Sequence, residues 1–183
     1  MGLLLREFFF IRHGQTDHNA GKVSGEHIDI SLNAFGQSQA RLIEPTIAKL
    51  PIRTICYSPL KRAVETKEII SRNFAVPHKE IADLSECSIH IWTQMTARKS
   101  HTLCHPEKEI QPFIERVKRG LNFALKEQSP VLIVAHGGVY WAICHLLGIN
   151  GEWVIDHCVP VHFSVHENKK WSAKKMIQDT NNA

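Results

Sequence analysis

Two hydrophobic patterns take turns along this chain: short, almost unbroken apolar runs, and longer stretches whose apolar residues recur every three or four positions. Leu3 to Ile11 is nearly all apolar, interrupted by Arg6-Glu7, and ends in Arg12-His13-Gly14. It predicts a strand buried on both faces, with Arg12 and His13 at its carboxyl end. Arg53 to Tyr57 and Val131 to Ala135 predict two more such strands, the latter running into His136-Gly137-Gly138.

Helices are expected between them. Asn33 reads as the cap of a helix reaching about Leu50, with Ala34, Leu42, Ile43 and Ile47 on one apolar face and Pro45 expected to kink or split it. Ser58-Pro59 reads as a cap residue with proline at the first helical position, opening a helix through Ile70. That helix carries Arg62 on its first turn and points Ala63, Thr66, Ile69 and Ile70 inward. Pro77 to Ser85 leads back to the sheet, and Glu86 to His105 has no clear period and reads as an irregular lid. Pro106 to about Lys126 has strong helical spacing, and Val139 to Leu147 is a helix stopped by Gly148. Val159 to Val165 and Trp171 to Ile177 predict a strand pair around the polar turn at residues 167–170.

Strands alternating with helices predict a three-layer, doubly wound α/β fold with a mostly parallel, mixed sheet, formed by residues 1–183 as a single domain. In such sheets ligands bind beyond the carboxyl ends of the strands. Arg12, His13, Arg62 and His136 all belong at such ends or in the turn that follows one.

Composition narrows the classes of function. The chain has 183 residues, 43% hydrophobic and 22% charged, which suits a globular domain. A formal charge of +4 and twelve histidines favour anionic ligands, but the Lys and Arg residues form no basic stripe with interleaved aromatics, so nucleic acid is not the expected partner. The apolar start lacks a basic leader and a cleavage site and is too short to span a bilayer, which points away from secretion and membranes. Gly2 does not suggest myristoylation, because Arg6 stands where Ser or Thr is required. Five widely spaced cysteines without a Cys-x-x-Cys pair read as reduced thiols in the cytoplasm.

An ordered set of motifs carries the chemistry. Arg12-His13-Gly14-Gln15-Thr16 is followed by Asn19, Gly25, Asp29, Leu32, Gly36 and Gln39-Ala40, then by Ser58 to Ala63 and Thr66, Leu84 and Glu86, and finally Ala135-His136-Gly137-Gly138. In this order and spacing the chain resembles the histidine phosphatase superfamily, also called phosphoglycerate mutase-like, from about Phe10 to Gly148. The resemblance implies a phosphohistidine on His13, with Nε2 attacking and the other ring nitrogen held by the Gly14 carbonyl. It implies no cofactor and a small-molecule phosphate ester as substrate.

Elementary chemistry agrees with these roles. A transferring phosphoryl group spreads negative charge over its oxygens, so catalysis is mainly positioning and electrostatic stabilisation. Arg12 and Arg62 offer planar forks for it, and His136, if protonated, a third donor. Imidazole is largely deprotonated near neutral pH, so His13 is a competent nucleophile without a general base. Glu86 is the expected proton donor to the leaving oxygen and then the base for water; its other reading is an exposed loop carboxylate. Asn19, Ser24, Gly25 and Gly137 are candidates for binding the phosphate, the first three with the alternative of merely shaping their loop. Lys22 stands where many relatives carry arginine.

No metal is expected. His101-x-x-x-His105 and the pair His162 and His166 have ligand-like spacing, but no third partner is placed by the sequence. After Glu86 the pattern departs from the family: relatives often continue with Phe-Gly and then Trp-Glu-Gly, where this chain has Ile89-His90 and Trp92-Thr93-Gln94. In the family this stretch helps form the substrate mouth. Arg98, Lys99, His101 and His105 read either as contacts to a second anionic group or as a solvated lid face. The expected activity is hydrolysis of a sugar phosphate or a compound such as α-ribazole phosphate. A phosphoglycerate mutase, a protein phosphatase and a non-catalytic binding module of the same fold are the alternatives. The segment between Glu86 and Pro106 is short beside the long insertion, and the tail short beside the longer tail, of the mutase branch, which favours hydrolysis.

Overall fold

A computed structural model describes residues 2–22, 29–96, 108–150 and 155–176. Its six strands are β1 (Phe8–Arg12), β2 (Thr54–Tyr57), β3 (His78–Glu80), β4 (Val131–Ala135), β5 (Pro160–Val165) and β6 (Trp171–Lys175). The five helices are α1 (Ala34–Ile47), α2 (Lys61–Ile70), α3 (Ile89–Thr96), α4 (Gln111–Ala124) and α5 (Gly137–Leu146), and a 3-10 turn at Ala82–Leu84 follows β3.

The strands lie in the order β3-β2-β4-β1-β5-β6, and of these β5 alone runs against the others. Side chains alternate across the sheet. Phe8 and Phe10 of β1 join Ile133 on the face covered by α4 and α5, whereas Phe9 and Ile11 join Ile55 and Val134 on the face covered by α1 and α2. Both faces of the central strands are thus sealed, which is why β1 and β4 read as continuous apolar runs.

The register sets the site. β1 and β4 pair in parallel with Arg12 opposite Ala135, and β2 pairs with β4 so that Tyr57 lies opposite Val134. Their three carboxyl ends therefore coincide. His13 N–H donates to the Ala135 carbonyl at 3.0 Å, and Ser58 N–H donates to the Val134 carbonyl at 3.1 Å. From these adjacent ends α1 leaves to one face and α5 to the other, opening a crevice at the point where the connections diverge.

Several expectations need correction. β1 starts at Phe8 because the polar pair Arg6-Glu7 breaks the run, and Leu5 is exposed. Asn33 does cap α1, its side chain accepting from Gly36 N–H at 2.8 Å, but Pro45 does not split the helix. It sits in the last turn. Ala34 and Leu42 face solvent, and the buried ridge is Gly36, Ala40 and Ile47. α2 begins at Lys61 instead of Pro59: Asp29 Oδ1 accepts the Lys61 N–H at 2.7 Å, while Ser58 Oγ accepts the Leu60 N–H at 3.3 Å just ahead of the helix and also bonds His136.

The expected irregular lid is helical over α3. There Ser88 Oγ accepts the Ile91 N–H at 3.3 Å and Met95 anchors the helix in the core. Residues 97–107, with Arg98, Lys99, His101 and His105, lie outside the described residues. α4 starts at Gln111, later than expected, and α5 starts at Gly137, earlier than expected, with His136 at its cap position.

Where the first crossover begins, Gly14 and Gly36 meet backbone to backbone. A Cβ on Gly14 would stand 2.5 Å from the Gly36 carbonyl oxygen, and one on Gly36 would stand 2.1 Å from that of Gln15. Neither position has room for a side chain. The contact ties the loop after β1 to the start of α1.

Candidate active site

The crevice is a cleft of about 360 Å³, lined at its floor by Arg12, His13 and Arg62 and along its walls by Thr16, Asn19, Glu86 and the start of α3. β1 delivers Arg12 and His13, β4 delivers His136, and the first turn of α2 delivers Arg62. His13 is almost completely buried although it forms part of the floor.

Hydrogen bonds fix the tautomer of His13. Its Nδ1 lies 2.7 Å from the Gly14 carbonyl oxygen, which can only accept, so Nδ1 carries the proton. The lone pair is left on Nε2, which accepts from Arg62 Nε at 3.2 Å. The rest of the loop is held as firmly. Gly14 N–H donates to Thr66 Oγ1 at 3.1 Å, the Thr66 hydroxyl donates to the Arg62 carbonyl at 2.7 Å, and His157 Nδ1–H donates to the His13 carbonyl at 2.8 Å.

Electrostatics keep the imidazoles neutral. Burial, then the neighbouring His136 and the two arginines, hold the His13 pKa well below its ordinary value. Burial, then Arg62 and Arg12, does the same for His136. The condition on which His136 would be a charged donor, protonation of its ring, is therefore not met in the free site. Its ring lies 5.1 Å from that of His13, its Nε2 shares a hydrogen bond of 2.7 Å with the Ser58 hydroxyl, and its Nδ1 is buried without a partner among the described residues. Burial also lowers the pKa values of Arg12 and Arg62, which stay cationic at any working pH. Arg12 Nη1 donates to the Ile155 carbonyl at 2.8 Å, and its buried Nε has no described partner.

Glu86 belongs to the cleft and is not a free loop carboxylate. Its Oε2 accepts the Gly138 N–H at the start of α5 at 3.1 Å, and Oε1 accepts the Cys87 N–H at 3.0 Å. Arg116 of α4 donates to the Glu86 carbonyl at 3.2 Å and to the Asp83 carbonyl at 3.1 Å, fixing the segment that carries it. Cys87 lies beside it, its thiol pKa raised by burial and by the Glu86 charge.

The remaining candidates divide. Asn19 lines the cleft, but its Oδ1 accepts from Thr16 N–H and the Thr16 hydroxyl, so it also shapes the loop. Ser24 and Gly25 lie outside the described residues. Gly137 serves packing: the space a Cβ would take there is filled by the Trp92 ring at 3.2 Å. Lys22 pairs with Asp17 at the surface, at 3.4 Å. His162 stacks on Phe9 and faces Glu7, while His166 contacts the Ser172 hydroxyl, so the two do not converge. Among the described residues no group of three or more His, Cys, Asp or Glu side chains could hold a metal ion.

Sequence reasoning assigned no site role to His157, Ser58, Thr66 or Arg116. All four act through backbone groups or through another side chain. Position along the chain gave no sign for His157, which precedes β5 and reaches back across 144 residues.

Comparison with known proteins agrees with this geometry. A family model described as the histidine phosphatase superfamily (branch 1) matches residues 8–160. The agropine synthesis reductase of Rhizobium rhizogenes is 32% identical over 158 residues, but the chain spans only 36% of that protein's length. The uncharacterized phosphatase PhoE of Bacillus subtilis is 33% identical over 141 residues, covering 73% of this chain and 72% of that one. The crystal structure of the alpha-ribazole phosphatase from Shigella flexneri superposes with a TM-score of 0.67 at 20% identity, covering 93% of this chain and 96% of that one. The buried histidine between Arg12 at the end of β1 and Arg62 on the first turn of α2 thus sits on the matching fold and within the matched residues, and the chain belongs to the histidine phosphatase superfamily.

Proposed function

We propose that this chain hydrolyses small-molecule phosphate monoesters through a phosphohistidine on His13. The observation that carries this reading is the locked ring. Nδ1–H is committed to the Gly14 carbonyl, and the Nε2 lone pair faces Arg62 at the cleft floor. A neutral, oriented imidazole between two guanidinium groups is what attack on a phosphate dianion requires.

The phosphoryl oxygens settle against Arg12 and Arg62. Arg62 Nε exchanges the His13 lone pair for an oxygen of the substrate, freeing Nε2 to attack phosphorus. As the Nε2–P bond forms, the P–O bond to the alcohol breaks and Glu86 supplies the proton that the leaving oxygen takes up. Water then enters, Glu86 accepts its proton, the Nε2–P bond breaks, and inorganic phosphate departs. His136, neutral in the free site, is drawn toward its protonated form by the bound dianion and stabilises charge in both steps. No step needs a metal ion. Free thiols at Cys56, Cys87, Cys144 and Cys158 suit a reducing, cytoplasmic setting, and no described helix is long and apolar enough to cross a membrane.

Rapid quenching after mixing with a phosphorus-labelled ester tests the reading. An acid-labile, alkali-stable label that is lost in His13→Ala is expected, with activity unchanged in strong chelator and inhibited by orthovanadate. An acid-stable label on serine or threonine would refute the histidine intermediate. Incubation with 3-phosphoglycerate and a trace of 2,3-bisphosphoglycerate should give no rapid interconversion, any turnover appearing as free phosphate; rapid conversion to 2-phosphoglycerate would make the protein a mutase.

A further inference from the structure

Beyond its phosphate floor the cleft has an apolar wall. Ile30, Leu60, Ile89 and Trp92 line it, the last two one helical turn apart on α3. Ile89 is 43% exposed, one of few large apolar side chains left to solvent among the described residues. Trp92 is wedged over Gly137, whose missing side chain makes room for the indole.

The charges of the lining point the same way. Arg12 and Arg62 are the only Lys or Arg side chains among the described lining residues, and both belong to the phosphate floor. Their two positive charges match a single phosphate dianion. Outside that floor the ionisable groups among the described lining residues are His18, Asp29, Glu86 and Cys87, with Asp29 held by the Lys61 N–H at the start of α2. Against these described residues a second anionic group on the substrate would meet carboxylates and hydrocarbon in place of a cation.

Resting on the assignment of the floor to phosphate, we infer that the alcohol half of the substrate is uncharged and apolar or aromatic, and that Trp92 and Ile89 form the subsite that selects it. A planar ring stacks on the indole face, an alkyl group lies along Ile89 and Leu60, and an acid such as a phosphorylated carboxylate is disfavoured.

Non-hydrolysable phosphonates separate this preference from leaving-group reactivity. Binding of phenylphosphonate and of 3-phosphonopropionate is measured by calorimetry, so that the result does not depend on turnover. Phenylphosphonate should bind at least about 10-fold more tightly, the worth of one well-buried apolar contact. Trp92→Ala should remove most of that advantage while leaving orthovanadate affinity within about 3-fold, since vanadate occupies only the floor. Because Trp92→Ala could disturb the seat on Gly137, the exposed Ile89 provides a second probe. Ile89→Lys should lower affinity for phenylphosphonate and raise it for the carboxylate, shifting the ratio about 10-fold. Tighter binding of 3-phosphonopropionate to the unaltered protein would overturn the inference, as would an unchanged ratio in both variants. Failure of the phosphatase reading looks different: neither phosphonate nor vanadate would bind, and no ester would label His13.

Discussion

The floor of the cleft and its mouth are built by different rules. At and beside the floor three functional groups are held through main-chain atoms: His13 by the Gly14 carbonyl and by its own carbonyl's bond to His157, Arg12 by the Ile155 carbonyl, and Glu86 by the amides of Gly138 and Cys87. These anchors come from the loop after β1, the segment before β5, the start of α5 and the residue that follows Glu86. At the mouth, α3 presents Ile89 and Trp92 from a helix outside the sheet, and side chains alone determine what is met there. Chemistry is thus placed where the fold cannot move, and selection of the substrate where a substitution is cheap.

The strongest way to break this contrast is at the nucleophile. His13→Ala should reduce kcat by at least about 10³-fold, as loss of a covalent nucleophile does, without lowering the melting temperature. A residual rate within 10-fold of the starting protein, in steady-state assays with any good ester, would mean that the floor is not the centre of reaction. Arg62→Ala comes next, with a loss of about 10²- to 10³-fold in kcat, the usual cost of removing one preorganised donor to developing charge. A change confined to KM would assign Arg62 to binding alone.

Glu86→Gln sharpens the comparison further. It should slow alkyl phosphates by about 10²-fold and aryl phosphates far less, because a phenolate leaves without help from a proton. Equal losses on both series would take Glu86 out of the acid role.

The smallest effect concerns stability. His13, His136 and His157 are all held neutral in the folded protein, His157 with its pKa lowered to about 4 by burial and then by Arg12. The unfolded chain takes up protons at these rings below about pH 6.5, while the folded chain does not. Stability is therefore intact above that pH and falls as the pH drops toward the folded-state values, by up to about 1.4 kcal/mol per unit and per histidine. Denaturant titrations between pH 7 and 4 should show the decline, and His157→Asn, which keeps a donor for the His13 carbonyl, should flatten it. An identical slope in that variant would exclude His157 as a contributor.

Much of the floor was legible in the sequence because strand ends are. Apolar runs that stop at Arg12-His13 and Ala135-His136 place those residues at the sheet's carboxyl edge whatever the order of strands. Arg62 followed from its distance to the end of β2. His157 did not, since its bond to the His13 carbonyl depends on how the segment before β5 passes beside β1, which no local pattern encodes. Whether His136 is protonated was not legible for a related reason: two arginines look like company for a phosphate, but in the free site burial first, and then these arginines, hold its pKa down. α3 was missed because its apolar residues are divided between a buried Met95 and a cleft-facing Ile89, which blurs the period of a two-turn helix.

The crossing of Gly14 and Gly36 limits how this protein can change. Any substitution at Gly14 drives a side chain into the main chain of Gly36, and any at Gly36 into that of Gln15, so the path to a different residue passes through a disrupted loop beside the nucleophile. Neither site can be relieved by trimming a neighbouring side chain, because the obstruction is backbone. In a saturation library selected for folding, both positions should return glycine almost alone, whereas Ile89 should accept most residues. A new specificity can therefore be reached from the mouth one substitution at a time, while the floor is inherited whole.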